Sequence, residues 1–279
     1  MSFFNILWQE RTPIWNSTHH AIIHGMRETW HRCHQRGNIP QENDFIASIV
    51  LDSSPLIYNS LNQIFGKHKI HFSLTSVYCH QTPRVKYPGL TKKFCELGDI
   101  LFVHVHKTRS GMYRRNALLY QAKVSPQQPY VVLTSETHQL KLYTEWPDFE
   151  YCNSGSLLNG KKRKINPKNP HSGAQYLLID NRPGTCPNSG LIGLSGTYPI
   201  GSCMPDIYLY NHNDLASELF ELFLLHTGQS FDDRTNSCNK ENWSEVVWDL
   251  IDAGLRKSFN RRRSGRVSDP RISGGPVQL

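Results

Sequence analysis

The sequence predicts an α/β or α+β fold with a C-terminal helical portion, and three features predict it. Helical patterns come first (16–36 and 42–65), β-prone segments fill the middle (70–135 and 174–180), and two amphipathic stretches close the chain (214–228 and 242–260). The 279 residues are 38% hydrophobic and 19% charged, the composition of a globular chain. A chain of this length buries roughly three quarters of its unfolded surface, so neither disulfides nor a structural metal is needed to hold it. The pattern divides into an N-terminal helical segment (1–40), a core (41–205) with a basic insertion at 152–173, and a helical region with a basic tail (206–279).

Segment 16–36 has cap candidates at Asn16 to Thr18, stop signals at Gly37 and Pro40, and an apolar stripe of Ile23, Met26, Trp30 and Cys33. The opposite stripe carries His20, His24, Arg27, His31 and His34. It lacks the carboxylate of an HExxH site and reads as a polar face. ENDFIASIVL (42–51) opens with acids and predicts a short helix, interrupted at Ser54-Pro55 before 55–65 resumes. IHFSLTSVY (70–78) alternates as a strand, and Pro83, Pro88 and Gly89 mark a loop.

The strongest local pattern is DILFVHVH (99–106), a polar turn, and ALLYQAKV (117–124), which predicts an antiparallel hairpin. Residues 130–135 predict another strand, 143–151 an aromatic-rich loop in which Trp146 and Phe149 belong to the core, 174–180 a strand, and 181–205 an irregular segment. Asp at the start and Gly at the end bound the helix at 214–228. Val246, Val247, Leu250 and Ile251 line one face of the last helix.

Charge is concentrated rather than spread. The net +8 is more than accounted for by 161–168 (net +5) and 256–271 (net +6), which leaves a slightly acidic body. Clustered cations suit a polyanionic partner, and Lys161, Lys162, Arg163, Lys164, Arg261, Arg262 and Arg263 are the expected nucleic-acid contacts. The seven cysteines are scattered without a CxxC pair, which argues against a disulfide framework or zinc ribbon and predicts reduced thiols. No apolar run reaches the length of a membrane span, and the N-terminus lacks the pattern of a secretory signal, so the cytoplasm is the expected compartment. Walker, GxGxxG and GxSxG motifs are absent.

On strand 117–124, alternation places Leu119, Gln121 and Lys123 on one face and Leu118, Tyr120, Ala122 and Val124 on the other. With the turn at Ser110-Gly111, paired residues sum to 221 or 222, so Asp99 lies opposite Ala122 or Lys123. A carboxylate, an amide and an ammonium then meet at one end of the hairpin. This arrangement, Gly98-Asp99 followed by Gln121-Ala122-Lys123, resembles the PD-(D/E)xK nuclease superfamily in its D…QxK, Mrr-like form, across residues 42–135. The proline of the signature is missing before Asp99.

The resemblance implies an α/β fold with a restriction-endonuclease-like mixed sheet flanked by helices. It further implies Mg²⁺ or Mn²⁺ held by Asp99, the Gln121 side-chain oxygen and the Ala122 carbonyl, with Lys123 orienting the attacking water. A further acid is expected from the preceding helix, with Glu42 chosen over Asp44 and Glu96. The expected activity is phosphodiester hydrolysis, of DNA before RNA, in prokaryotic defence against foreign DNA. A homodimer, or a partner protein supplying sensing or ATPase function, is expected as well. The alternative is a non-catalytic nucleic-acid-binding or assembly subunit.

Overall fold

The computed structural model describes residues 2–108, 110–152, 157–165, 173–182, 199–234, 243–256 and 272–274. It opens with α1 (Phe3–Gln9), α2 (Arg11–Gln35), α3 (Glu42–Ser48), a π-helical turn (Ile49–Ser53) and α4 (Ser54–Lys67). Helix α2 begins before the predicted caps at 16–18. Pro13 falls within its first turn, where the missing N–H is no loss, and Ile14 extends the buried stripe. Ser54-Pro55 does not interrupt the next pair of helices. Pro55 also sits in a first turn, that of α4, and the π-helical turn joins α3 to α4.

Strands β1 (Phe72–Tyr78), β2 (Arg84–Lys86) and β3 (Cys95–Glu96) precede the long hairpin β4 (Ile100–Lys107) and β5 (Tyr113–Val124). The chain continues through β6 (Tyr130–Val131), α5 (Thr137–Glu145), β7 (Phe149–Tyr151), β8 (Lys162–Arg163), β9 (Ala174–Ile179) and β10 (Ile200–Cys203). It ends with β11 (Tyr208–Leu209), β12 (Asn213–Asp214), α6 (Leu215–Phe223), β13 (Gln229–Ser230), α7 (Trp243–Arg256) and β14 (Ile272–Gly274).

Three further expectations are corrected. The strand at 130–135 stops after Val131, because Thr134–Glu136 turn into α5, whose Leu142 and Tyr143 bury an apolar side. The loops at 83–89 and 143–151 contain β2 and β7, paired to each other. In the segment expected to be irregular, the described part holds β10, buried throughout and paired to β9. Residues 183–198 of that segment lie outside the described residues.

The main sheet runs β12-β10-β9-β5-β4-β1-β14, with β13 beside the first half of β5. Its pairs are antiparallel except β5 with β9, so the sheet is mixed and helices cover it, an α/β architecture. One face, with Phe102, Leu118 and Tyr120, packs under α1 to α4 and α6. The other, with Leu101, Val103 and Leu119, packs under α5, α7 and the small sheet β3-β2-β7-β8. The alternation read from 117–124 therefore divides the two core layers. Each large apolar side chain so buried contributes about 1.5–3 kcal/mol.

Trp146 and Phe149 are core residues, as expected. The five described cysteines, Cys33, Cys79, Cys95, Cys152 and Cys203, are free thiols. The histidine stripe of α2 is exposed. No described helix is long and apolar enough to cross a membrane.

Candidate functional site

The site forms where β4 begins. Ile100 pairs with Tyr120, one residue short of the expected register, because the turn centres on Ser110 with Gly111 following at φ +84°. Asp99 thus lies level with Gln121 rather than with Ala122 or Lys123, and its N–H bonds the Tyr120 carbonyl at 2.7 Å. Its carboxylate is fully buried. Oδ2 accepts from the Gln121 amide and, at 2.7 Å, from the Ala122 N–H. Oδ1 lies 2.5 Å from His80 Nδ1.

Of the two β5 residues expected to offer oxygens, Gln121 thus meets Asp99 through its nitrogen, whereas the Ala122 N–H bond to Asp99 leaves its carbonyl unengaged by that carboxylate. Gln121 turns its NH₂ to Asp99 while its Oε1 accepts from Gln139 at 2.9 Å. An amide nitrogen does not ligate Mg²⁺ or Mn²⁺.

The other cation donors come from distant parts of the chain. Glu42, in the first turn of α3, brings Oε1 to 4.0 Å from His80 Nδ1. One ligand atom each from Glu42, His80 and Asp99 lies within 4.8 Å of the other two, close enough for the three to share a cation. Of the competing acids, Asp44 is used elsewhere and Glu96 stays close to His80. Asp44 Oδ2 accepts from the Gln41 N–H at 3.0 Å and caps α3. Glu96 Oε2 accepts from the Gln81 N–H at 3.3 Å and lies 3.8 Å from His80 Nδ1, so it also borders the site, outside the three-residue cluster.

Burial, and then the Asp99 charge, push the Glu42 carboxyl up to about 8. Burial works against protonation of His80, but the hydrogen bond and charge of Asp99, with Glu96 and Glu42, outweigh it and raise the imidazole. The negative charges around the site thus outweigh the neighbouring Lys123 ammonium, holding back the ionisation of one carboxyl and favouring a charged imidazole. The donors fit a divalent cation, and an imidazole beside two carboxylates suits Mn²⁺ more than Mg²⁺.

Lys123 is buried beside this cluster. Its Nζ donates to Glu136 Oε1 at 2.8 Å and to Gln139 Oε1 at 3.2 Å. Burial opposes its charge, but Glu42, Glu136 and Asp99 outweigh burial and raise its pKa, so it remains an ammonium. Glu136 is itself held by the Tyr130 hydroxyl at 2.6 Å and by the Leu133 N–H.

Sequence reasoning misses His80, Glu136 and Gln139. The strand signal at 70–78 contains a pointer to the first. Tyr78 pairs with Ile100, so the residues just after β1 must fall beside Asp99. Glu136 and Gln139 are concealed by the assignment of 130–135 as strand.

The first basic run divides in use. Arg163 is bound to Asp249 of α7 at 2.6 Å and lies 3.8 Å from Glu245. Lys161 is 3.9 Å from the same Asp249. Lys162 and Lys164 line an open cleft with Lys86, Lys92 and Lys93. Arg261, Arg262 and Arg263 lie outside the described residues. Comparison with models of known families, with curated proteins and with solved structures found no match.

Proposed function

We propose that the chain is a metal-dependent nuclease that hydrolyses phosphodiester bonds, of DNA before RNA, with Mg²⁺ or Mn²⁺ as cofactor. The observation that carries this reading is the meeting of Glu42, His80 and Asp99, from three separate elements, beside a buried ammonium. The D…QxK likeness to the PD-(D/E)xK nucleases supports it, as does the clustered positive charge.

Asp99, Glu42 and His80 would hold the cation, which when bound polarises a phosphoryl oxygen and lowers the pKa of its water. Lys123, aligned by Glu136 and Gln139, orients the attacking water and neutralises charge that gathers on the phosphate. Gln121 keeps Asp99 in place. Defence against foreign DNA, and work as a homodimer or beside a sensing or ATPase partner, follow from the resemblance and belong to the proposal.

The test is cleavage of plasmid, single-stranded DNA and RNA with Mg²⁺, Mn²⁺ or EDTA, by wild type, Glu42→Gln and Lys123→Gln. Glu42 is partly exposed at its helix end, so its variant keeps the fold, which circular dichroism checks. Metal-dependent cutting that falls by about 10²-fold or more in both variants is the expected result. Cutting that persists in EDTA or in both variants overturns the mechanism. A wild type that binds nucleic acid and does not cut, alone or with its native partners, leaves the non-catalytic binding subunit.

A further inference from the structure

A second feature lies across α5 from the proposed catalytic residues. A cleft of about 770 Å³ is bounded by β2, the segment from Tyr87 to Lys93, β7 and β8. Six cationic side chains line it (Lys86, Lys92, Lys93, Lys162, Arg163 and Lys164) against three acids, Asp148, Glu150 and Glu245. The positive excess gathers here although the body of the chain outside its two basic runs is slightly acidic.

The acids are engaged on the walls. Glu150 pairs with Lys86 at 3.1 Å, and Glu245 lies 3.8 Å from Arg163. Lys93, Lys162 and Lys164 are exposed. The aromatic residues of the lining are not open for stacking, with Tyr87 only 6% and Phe149 only 3% exposed. Such a surface attracts phosphates and offers bases no platform.

The first turn of α5 and the short loop before it bond both to the catalytic lysine and to two residues that line the cleft. On one side Glu136 and Gln139 hold Lys123. On the other, the Ser135 carbonyl accepts from Lys92 at 2.7 Å and the His138 carbonyl accepts from the Tyr87 hydroxyl at 2.7 Å.

We propose that this cleft is the track for the sugar-phosphate backbone of a nucleic-acid strand, an inference that rests on the nuclease reading of the neighbouring site and names where its substrate lies. The track reads charge rather than sequence. It draws on Lys86, Lys92 and Lys93, which precede the hairpin, together with Lys162 and Lys164 of the basic run. Arg163 is a wall residue tied to α7 rather than a phosphate contact.

The test is fluorescence anisotropy of the full chain with a labelled 20-nucleotide strand in EDTA, where no cutting interferes, over a series of salt concentrations. The double variant Lys93→Gln/Lys162→Gln removes two exposed lysines of the cleft. Lys67→Gln/Lys107→Gln removes the same charge elsewhere. The cleft variant is expected to bind roughly tenfold or more weakly at 50 mM salt, and to lower the slope of log K against log [salt] by roughly 1.4, while the control changes little. Inorganic phosphate at the same phosphate concentration is expected not to compete.

Equal effects of the two variants, or a strand displaced equally well by inorganic phosphate or by polyglutamate, overturn the proposal. Binding that depends on the cleft in a protein that never cuts refutes the nuclease reading alone. Cutting that ignores the cleft lysines refutes the track alone.

Discussion

Replacing Asp99 by alanine should separate the structural part of this carboxylate from its chemical part. The carboxylate accepts from three donors: the Gln121 amide, the Ala122 N–H and His80. Gln121 and Ala122 are buried, and alanine leaves both donors without an acceptor. Each orphaned buried donor costs about 1–3 kcal/mol, so the substitution should destabilise the metal-free protein by about 2–6 kcal/mol. His80 is partly exposed and can turn to water. No relief of like charge offsets this at pH 7, because Glu42, held up to about 8 by burial and then by Asp99, is already mostly protonated there.

Asp99→Asn, whose one oxygen in the place of Oδ2 accepts from both Gln121 and Ala122, should cost less than half as much and still weaken a cation ligand. The assay is urea denaturation in EDTA followed by tryptophan fluorescence, with the midpoint converted through a common slope. An alanine variant as stable as wild type, or an asparagine variant as damaged as the alanine one, would refute the reasoning. Asp99 would then not be the acceptor that organises the start of the hairpin.

Other outcomes follow from the same physics. His106, stacked on Phe3 at 3.8 Å between ring centroids, is lowered to about 4 by burial and by Arg114, and its neighbour His104 is lowered by burial. The unfolded chain takes up these protons near pH 6.5 and the native chain does not, so stability should fall as pH drops from about 6.5 to about 4, by roughly 3 kcal/mol for His106. Denaturation across that range should show a shallower loss in His106→Phe, and an unchanged pH dependence would sink the assignment. Gly98 precedes Asp99, and a Cβ there would meet Leu119 Cγ at 2.8 Å and the Tyr143 hydroxyl at 2.9 Å. Gly98→Ala should therefore cost about 1–3 kcal/mol in a melt, and an unaltered melting temperature would contradict the packing. Divalent cation should raise the melting temperature of wild type, Mn²⁺ more than Mg²⁺, and should raise it less in His80→Asn. Equal shifts in the two proteins would remove His80 from the cation site.

Local chemistry makes several elements legible in the amino-acid sequence alone. Alternation separates Leu119, Gln121 and Lys123 from Leu118, Tyr120 and Ala122, and the two sets serve opposite faces of the sheet. Asp214, read as the opening of a helix, accepts from the Ala216 and Ser217 N–H groups. These features depend on neighbours within a few residues, and their signal is written in a short window. The hairpin is legible for the same reason, but its register is not. Moving the turn centre to Ser110 shifts each pair by one residue, and side-chain patterning alone does not locate the centre.

The assembly of the site is decided by tertiary packing. Glu42, His80 and Asp99 lie in separate elements, and nothing in the chain near Asp99 indicates that α3 lays its first turn there or that β1 ends beside β4. The resemblance points to the preceding helix for a further acid. Only the packed chain, in which Asp44 caps α3 and Glu42 rather than Glu96 clusters with both His80 and Asp99, distinguishes Glu42 from the competing acids. Sequence composition likewise locates a basic run but not its use, since Arg163 is drawn to Asp249 of α7, 86 residues away. Short-range patterns set which elements form and which faces they bury, whereas partners across long loops are chosen by how those buried faces stack, and that choice exists only in the folded chain.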